Sequence, residues 1–412
     1  MIFTRDLFVT KRKVFRPISI IFLSILFIYL TGCAVQKLQK EPFYEQPTTE
    51  VLPQEEKTCR FSSLEQALTH YQDLADQGGW PQISDGPTMR QGEHNSRVFF
   101  LSLRLAASCD LDELATRPDV FDETLLKAVQ RFQTRHGLTA DGAVGKATLR
   151  ELNISVNERI RQIATNLECC KSVKTTPESR RIVVNIADFS LKLFENNEPL
   201  LTMPVIVGKK ERQTPVCKGR ISSVVINPKW NVPHIIATED ILPKIKKDPD
   251  YLRKSNIRVL RGWQSDEAID PATIDWKSLS VENFPYRLSQ TSGPDNSLGR
   301  LKFLFFNPYD IYLHDTPSKY LFHKDSRAFS SGCIRLAKPK EFALYLLKGT
   351  SIDSLDALNA AIANGKTRQI TIPVPIPIHI VYITAWIDDE GNIQFRPNIY
   401  SRDPALPYTS KN

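Results

Sequence analysis

Two residues of the sequence, Cys333 and His314, have the types and the spacing that nucleophilic chemistry requires. They lie 19 residues apart, in segments that both have the composition of β-strands. Because side chains alternate along a strand, Tyr312 shares the face of His314, and Arg335 shares the face of Cys333. If the two strands are neighbours, the thiol and the imidazole meet on one side of the sheet.

An imidazole beside a thiol gives that thiol a reaction. A free cysteine has a pKa of about 8.5 and is mostly protonated at neutral pH, but an adjacent imidazole can take its proton and leave a thiolate that attacks a carbonyl. The approach Ser331-Gly332 predicts a sharp turn, in which backbone N–H groups near Gly332 and Cys333 face a developing oxyanion. Arg335 either binds a substrate carboxylate or anchors the loop. Spacing alone also leaves open a Cys333–Cys217 disulfide and a histidine that is merely hydrogen-bonded under a loop.

The elements that must hold this pair indicate a mainly β domain with one long insertion. After Pro177 the hydrophobic period changes from helical to alternating, and apolar runs on both sides of residues 195–199 predict a hairpin. Between about residues 234 and 299 the chain becomes helical and charged, and then loop-like. This insertion is too long for a plain connection between strands. We therefore predict a capping subdomain of helices and loops over the site.

The part of the chain before the β domain is helical. Apolar residues recur at helical spacing over 64–74, 98–105 and 125–132. Gly137 is positioned to end the third of these helices, and Asp141-Gly142 predicts a tight turn before another short helix. The predicted segments are a helical scaffold over 59–92, a small helical domain over 93–153 and a helical linker over 154–178.

Composition and charge exclude several classes of protein. Hydrophobic residues make up 41% and charged residues 24%, so the chain is not mainly disordered, collagen-like or a polytopic membrane protein. The formal net charge is +8, but residues 1–16 carry a local +4, which leaves only +4 for the rest. That is too little charge to indicate nucleic acid as a partner.

The N-terminus predicts export. A basic stretch precedes a charge-free apolar run that is short for a membrane span and ends in Leu30-Thr31-Gly32-Cys33. This resembles the bacterial lipoprotein processing box, which implies that residues 1–32 are a signal peptide and that Cys33 is acylated and anchors the protein to a membrane. Ala34, by resemblance to Gram-negative lipoproteins, implies a periplasmic protein on the outer membrane, and residues 33–58 read as its tether. The alternative is an uncleaved signal anchor in which Cys33 has no role.

The remaining cysteines suit an oxidising compartment. Pairs among four of them could staple the N-terminal region, although the connectivity cannot be read from the sequence. These four are Cys59, Cys109, Cys169 and Cys170. The sequence contains no C-x-x-C pair and no H-E-x-x-H, so we expect no metal site.

Two stretches resemble known families. A strand histidine followed by Ser-Ser-Gly-Cys-Ile-Arg is similar to the active-site signature of the L,D-transpeptidases with a YkuD-type catalytic domain. The pattern from Ala128 to Leu152 resembles the small three-helix peptidoglycan-binding domain. The segments that resemble the larger YcbB-like branch of the family are Thr214-Pro215, Trp230–Pro233, Asp270–Trp276, Phe284–Arg287 and Leu298–Phe303.

The resemblance implies an α+β fold. A helical N-terminal scaffold and a peptidoglycan-binding-like domain precede a mainly β YkuD-type catalytic domain over residues 179–400, which carries the capping insertion. In this family pattern Cys333 is the nucleophile, and His314 is the base and later the acid. The residues implied to shape the oxyanion and substrate pocket are Tyr312, Ser331, Gly332 and Arg335. Ser331 stands where many family members have a second histidine.

The implied reaction joins two peptidoglycan stem peptides. Cys333 attacks the bond between diaminopimelate and the terminal D-alanine of a tetrapeptide stem, and an amine of a second stem then displaces the thioester. The thioester retains its acyl reactivity, so no cofactor is expected, and carbapenems would acylate the same sulfur. Water or the lysine of an outer-membrane lipoprotein remains open as the acceptor. The sequence is also compatible with a non-catalytic wall-binding lipoprotein, in which Cys333 is oxidised or structural, and with a cysteine protease of ordinary peptides.

Overall fold

The computed structural model describes residues 60–174 and 179–402, without the side chains of residues 168–174. The processing box with Cys33, the tether, Cys59 and the side chains of Cys169 and Cys170 lie outside this description. Among the helices that are described, none has both the length and the apolar character needed to cross a membrane.

Five helices form the first part of the described chain. They are α1 (Leu64–Asp76), α2 (Ser96–Ala107), α3 (Glu123–Arg135), α4 (Lys146–Leu152) and α5 (Val156–Lys174). Helices α2 to α4 share a core in which Ala128, Val129 and Phe132 are fully buried, as the spacing predicts. The side chains of Asn95 and Asp122 accept hydrogen bonds from the first backbone N–H groups of α2 and α3 and so fix where these helices begin. Helix α1 packs against α5.

The rest of the chain is mostly strands. The strands are β1 (Arg180–Asn185), β2 (Ser190–Glu195), β3 (Glu198–Gly208), β4 (Cys217–Ile226), β5 (Trp230–Asn231), β6 (Ile257–Leu260), β7 (Ala268–Ile269), β8 (Arg287–Gln290), β9 (Leu301–Phe305), β10 (Leu313–His314), β11 (Ala328–Ser330), β12 (Ile334–Leu336), β13 (Arg368–Val381), β14 (Ala385–Ile387) and β15 (Ile393–Phe395). The predicted hairpin is β2–β3. The predicted α+β fold class is confirmed, with a helical first part and a mainly β second part.

Nine of these strands form one sheet in the order β11-β3-β12-β10-β9-β4-β13-β1-β2. Strand β3 also pairs with β2, so the sheet curls back on itself around an apolar core. Strands β10 and β12 are short and lie between β9 and β3, in the middle of the sheet. Leu313 of β10 and Ile334 of β12 are buried in the core, so the residues next to them in each strand lie on the opposite face of the sheet.

The insertion is a subdomain with its own sheet and core. Its helices are α6 (His234–Ile236), α7 (Leu242–Lys247) and α8 (Tyr251–Lys254), with a π-helix over Ala237–Ile241 between the first two. The expectation of helices and loops alone is wrong, because four strands form a sheet in the order β5-β8-β6-β7. This sheet begins at Trp230, before the predicted boundary. Strands as short as these carry no measurable hydrophobic period.

The end of the chain returns to the helical part. Helices α9 (Pro339–Leu346) and α10 (Leu355–Ala363) pack against the core of the large sheet. The hairpin β14–β15 then contributes Ala385, Ile393 and Phe395 to the core that α1 and α5 share.

The described cysteines differ in state. Cys109 is disulfide-bonded, in line with a staple in the N-terminal region. Cys217 and Cys333 are free thiols, so the alternative of a disulfide between them is excluded. No group of three or more His, Cys, Asp or Glu side chains in the described ranges is arranged to hold a metal ion.

Candidate active site

Strands β10 and β12 pair in parallel and bring the two chemical segments together. Leu313 lies opposite Ile334, and His314 lies opposite Arg335. The N–H of Ile334 donates to the carbonyl of Tyr312 at 3.1 Å, which extends the pairing toward Cys333. Because Leu313 and Ile334 are fully buried on the core side, the alternate residues lie on the other side of the sheet.

That other side forms the floor of a cleft of about 990 Å³ under the capping subdomain. Five of the predicted site residues line this cleft: Tyr312, His314, Ser331, Cys333 and Arg335. The cap contributes lining residues from β5, α6, the π-helix and α7, such as Trp230, Ile236, Asp240 and Lys244. The insertion therefore covers the predicted pair, as expected from its place in the sequence.

The His314 ring is held by a backbone carbonyl. Its Nδ1 lies 2.5 Å from the carbonyl oxygen of Asp315, and only 4% of the residue is exposed. The pKa of His314 is lowered to about 3, mainly by burial and then by the positive charge of Arg335, whereas the bond to Asp315 opposes the shift. The imidazole is therefore neutral at physiological pH. With Nδ1 as the donor to Asp315, the lone pair is on Nε2.

Asp315 is itself fixed on several sides. Its carboxylate accepts hydrogen bonds from the backbone N–H of Arg300 at 2.9 Å and of Thr316 at 2.7 Å, and it pairs with Lys319 at 2.5 Å. Gly299 has a φ of +60°, and a Cβ there would lie 2.4 Å from the Asp315 carboxyl carbon. These contacts determine where the Asp315 carbonyl lies and hence how the His314 ring is oriented.

Cys333 is a free thiol whose pKa is raised. Burial raises the pKa, while interactions with the backbone and hydroxyl of Tyr312 and the charges of Lys302 and Arg335 partly oppose the rise. At neutral pH the site therefore holds a thiol and a neutral imidazole, not a thiolate and an imidazolium. Such a pair reacts by general-base catalysis, in which the imidazole accepts the thiol proton as sulfur attacks a carbonyl.

The turn before Cys333 is held by its own hydrogen bonds. Ser330 Oγ donates to the carbonyl of Cys333 at 2.5 Å, and the N–H of Gly332 donates to Ser330 Oγ at 3.2 Å. Thr214, which is fully buried, donates to the Gly332 carbonyl at 2.8 Å. Gly332 has a φ of +111°, a conformation that favours glycine. Of the two N–H groups expected at the oxyanion, that of Gly332 is thus engaged inside the turn, and Gly332 does not line the cleft.

Ser331 connects the turn to the cap through Arg212. One guanidinium nitrogen of Arg212 donates to Ser331 Oγ at 2.9 Å and to Asp240 at 2.5 Å, and the other pairs with Glu239 at 2.5 Å. Both carboxylates belong to the π-helix of the insertion. The Arg212 side chain is only 9% exposed, so this bridge is an internal one.

Arg335 has unused hydrogen-bonding capacity. Its Nε is buried and has no hydrogen-bond partner among the described residues. Burial lowers its pKa, yet the group remains a cation because the ordinary value is 12.5. Arg335 also lines the cleft, where its cation could bind a substrate carboxylate, one of the two roles open from the sequence.

Several residues around the site were not assigned a role from the sequence. They are Arg212, Thr214, Lys302 and Asp315. Thr214 and Lys302 stand inside segments that carry the family resemblance, and Asp315 directly follows His314, which is the only signal that could have singled them out. Arg212 had no such signal.

Comparison with known proteins identifies the domains. Residues 179–353 match the L,D-transpeptidase catalytic domain family YkuD, and residues 105–152 match a "Putative peptidoglycan binding domain". A Haemophilus influenzae protein named "Putative L,D-transpeptidase" is 40% identical over 222 residues, which cover 54% of this chain and 44% of that protein. The chain thus matches less than half the length of this relative.

Solved structures give a weaker similarity. An L,D-transpeptidase from Stackebrandtia nassauensis is 11% identical, with a TM-score of 0.26, and covers 73% of this chain and 96% of its own. The L,D-transpeptidase LdtMt1 in complex with imipenem is 18% identical, with a TM-score of 0.20, over 49% of this chain and 59% of its own. The family matches, together with the mainly β fold, lead to one conclusion: the chain carries an L,D-transpeptidase catalytic domain of the YkuD family, preceded by a peptidoglycan-binding domain.

Proposed function

We propose that this chain is a peptidoglycan L,D-transpeptidase in which Cys333 is the nucleophile and His314 the proton carrier. The pairing of β10 with β12 is the observation that supports this proposal best. It sets a free thiol and a neutral imidazole on one side of the sheet, under a cap. The two groups have the protonation states that general-base catalysis needs.

The first half-reaction makes a thioester. The Cys333 sulfur attacks the carbonyl carbon of the third residue of a tetrapeptide stem, at the L-centre of diaminopimelate, and the thiol proton passes to Nε2 of His314. The tetrahedral intermediate then collapses, the C–N bond to D-alanine breaks, and His314 returns the proton to the leaving nitrogen. D-Alanine departs, and the acyl group remains on sulfur.

The second half-reaction transfers the acyl group. The side-chain amine of diaminopimelate in a second stem attacks the thioester carbon and gives a proton to His314. The C–S bond breaks, and Cys333 regains its proton. The product is a cross-link between two diaminopimelate residues, formed without ATP or a metal ion.

Other groups in the cleft suit this substrate. A stem peptide carries free carboxylates, and the guanidinium of Arg335 lines the same cleft as Cys333. The cap lines one side of the cleft, and by limiting the access of water to the thioester it would favour an amine over hydrolysis. The peptidoglycan-binding domain would hold the enzyme on its polymeric substrate.

A covalent carbapenem adduct tests the role of Cys333. Imipenem incubated with the protein should add its full mass once, because ring opening of the β-lactam by a thiol releases nothing. The matched control is Cys217, the other described free thiol, whose pKa burial raises to about 11. We expect Cys217→Ala to form the adduct and Cys333→Ala to form none. No adduct on the wild-type protein would favour a wall-binding protein without catalytic activity.

The acceptor is decided by a separate experiment. Mass analysis of muropeptides from cells that overproduce the protein should show new cross-links between third residues. Accumulation of tripeptide stems without cross-links would instead indicate an L,D-carboxypeptidase. A lipoprotein newly attached to the wall would indicate lysine as the acceptor.

We also propose that the mature protein is a lipoprotein of the outer membrane that faces the periplasm. The support is the sequence Leu30-Thr31-Gly32-Cys33 at the end of the apolar run. Intact-mass and N-terminal analysis of the protein extracted from cells should show a chain that begins at Cys33 and carries acyl groups. A chain that still begins at Met1 would show that the N-terminus is an uncleaved anchor.

A further inference from the structure

A lysine lies on the cleft side of the central sheet, next to the catalytic pair. Lys302 is the second residue of β9, between Leu301 and Phe303, which are both fully buried in the core. Alternation therefore turns Lys302 to the face that carries the site. In the antiparallel pairing of β9 with β10, Lys302 lies directly opposite His314.

The ammonium group of Lys302 contacts an aromatic ring. Its Nζ lies 3.7 Å from the centroid of the Tyr312 ring, at cation–π distance. Lys302 is partly buried, and no carboxylate in the described ranges lies within ion-pair distance of its Nζ. Burial lowers its pKa, while the charge on Cys333 opposes that shift. A partly buried lysine without a carboxylate partner costs stability, so a role in the site would account for it.

The Tyr312 ring connects Lys302 to Cys333. The backbone and the hydroxyl of Tyr312 both interact with the Cys333 sulfur, and the Tyr312 hydroxyl also interacts with Trp230 of the cap. The position of the Tyr312 ring thus affects the surroundings of the sulfur. Lys302 at the face of the ring and Trp230 at its hydroxyl both constrain where the Tyr312 ring lies.

We propose that Lys302 is a positioning residue for Cys333: its ammonium group fixes the Tyr312 ring against the sulfur and supplies positive charge that stabilises the thiolate as it forms. The proposal rests on the proposed role of Cys333 as nucleophile. Because His314 is neutral before the reaction, its imidazole supplies no positive charge to the sulfur, and Lys302 supplies that charge instead.

Other groups face the sulfur as well, and they define what Lys302 adds. Tyr312 on β10 and Arg335 on β12 act on the sulfur directly, while His314 lies on the same face of β10 and Arg212 bonds to Ser331 in the preceding turn. Arg335 is the charge that affects His314 most, whereas Lys302 is the charge that affects Cys333 most. Removal of the Lys302 charge should therefore raise the pKa of the thiol more than that of the imidazole.

The test measures the thiol itself. We would follow alkylation of Cys333 by iodoacetamide against pH, by intact-protein mass, in a Cys217→Ala background. Lys302→Met should shift the pH profile upward and slow alkylation about tenfold at pH 8, the effect of roughly one pKa unit. Lys302→Arg keeps the charge and should restore most of the rate. Lys192→Met, on β2 of the same sheet, is the matched control and should leave the profile unchanged.

Two outcomes would overturn the proposal. One is a wild-type profile in Lys302→Met, and the other is an equal defect in Lys302→Arg, which would indicate packing rather than charge. Circular dichroism spectra establish that the variants are folded, and Lys302→Gln replaces Lys302→Met if the latter does not fold. Alkylation needs no stem peptide, so its result is independent of whether the chain proves to be a transpeptidase.

Discussion

The protonation state of His314 can be tested through the stability of the fold. Burial lowers its pKa to about 3 from an ordinary value of 6.5, and the nearby charge of Arg335 acts in the same direction. In the unfolded chain the ring regains its ordinary pKa. Between these two values the unfolded state binds a proton at this position that the folded state does not.

The sign and the size of the effect follow from proton linkage. Because the unfolded state binds more protons, the free energy of unfolding falls as the pH falls below 6.5, and it continues to fall until the folded-state pKa is reached. At pH 5.0, which is 1.5 units below the ordinary pKa, the contribution of His314 should lower the free energy of unfolding by about 2 kcal/mol relative to neutral pH. His136, whose pKa burial also lowers, contributes in the same direction.

His314→Asn removes the titrating ring while its amide N–H can still reach the carbonyl of Asp315. Urea unfolding at pH 7.5 and pH 5.0 gives the loss of stability on acidification for each protein. We expect this loss to be about 2 kcal/mol smaller in His314→Asn than in the wild type. His323→Asn, at an exposed position in the loop before the nucleophile, is the control and should match the wild type.

An equal loss in His314→Asn and the wild type would refute the argument. It would mean that His314 is charged in the folded protein at pH 5.0 and that the site does not hold a neutral pair. The same view of the site predicts that the rate of carbapenem acylation shows no inflection near pH 6.5.

Two further substitutions test how the pair is held. Arg212→Met removes the bridge from Ser331 to Asp240, and we expect carbapenem acylation to become between about tenfold and a hundredfold slower. Arg212→Lys should recover part of the rate. Unchanged acylation kinetics would show that the bridge does not position the turn. Gly299→Ala forces a Cβ against Asp315 at a residue whose φ is +60°. We expect the free energy of unfolding in urea to fall by about 1–3 kcal/mol and acylation to become slower. Wild-type values for both would contradict the close contact.

The faces of the catalytic strands could be predicted because they depend on alternation alone. Leu313 and Ile334 are apolar and the residues on either side are polar, so only one assignment buries the apolar pair. In the same way, the helical spacing of apolar residues predicted the buried face of the helix that carries Phe132. In both cases the residue types along one segment contain the information.

The support of the imidazole could not be predicted, because a backbone carbonyl has no residue type. Any residue at 315 presents such a group, and whether it reaches Nδ1 depends on the path of the chain after β10. The sheet of the cap was missed for a related reason. Strand β5 pairs with β8 across more than fifty residues, and neither is long enough to show a period.

The protonation of the pair also depends on what surrounds it in three dimensions. The sequence places a histidine near a cysteine, but the burial that makes both neutral comes from the sheet and the cap together. A histidine with a pKa of about 3 is a weak base, so the proton leaves sulfur only as the carbon–sulfur bond forms. The resulting imidazolium is a correspondingly strong acid beside Arg335, and it gives its proton readily to the departing amine. In the reaction that we propose, the positive charges that hinder the first proton transfer would therefore assist the second.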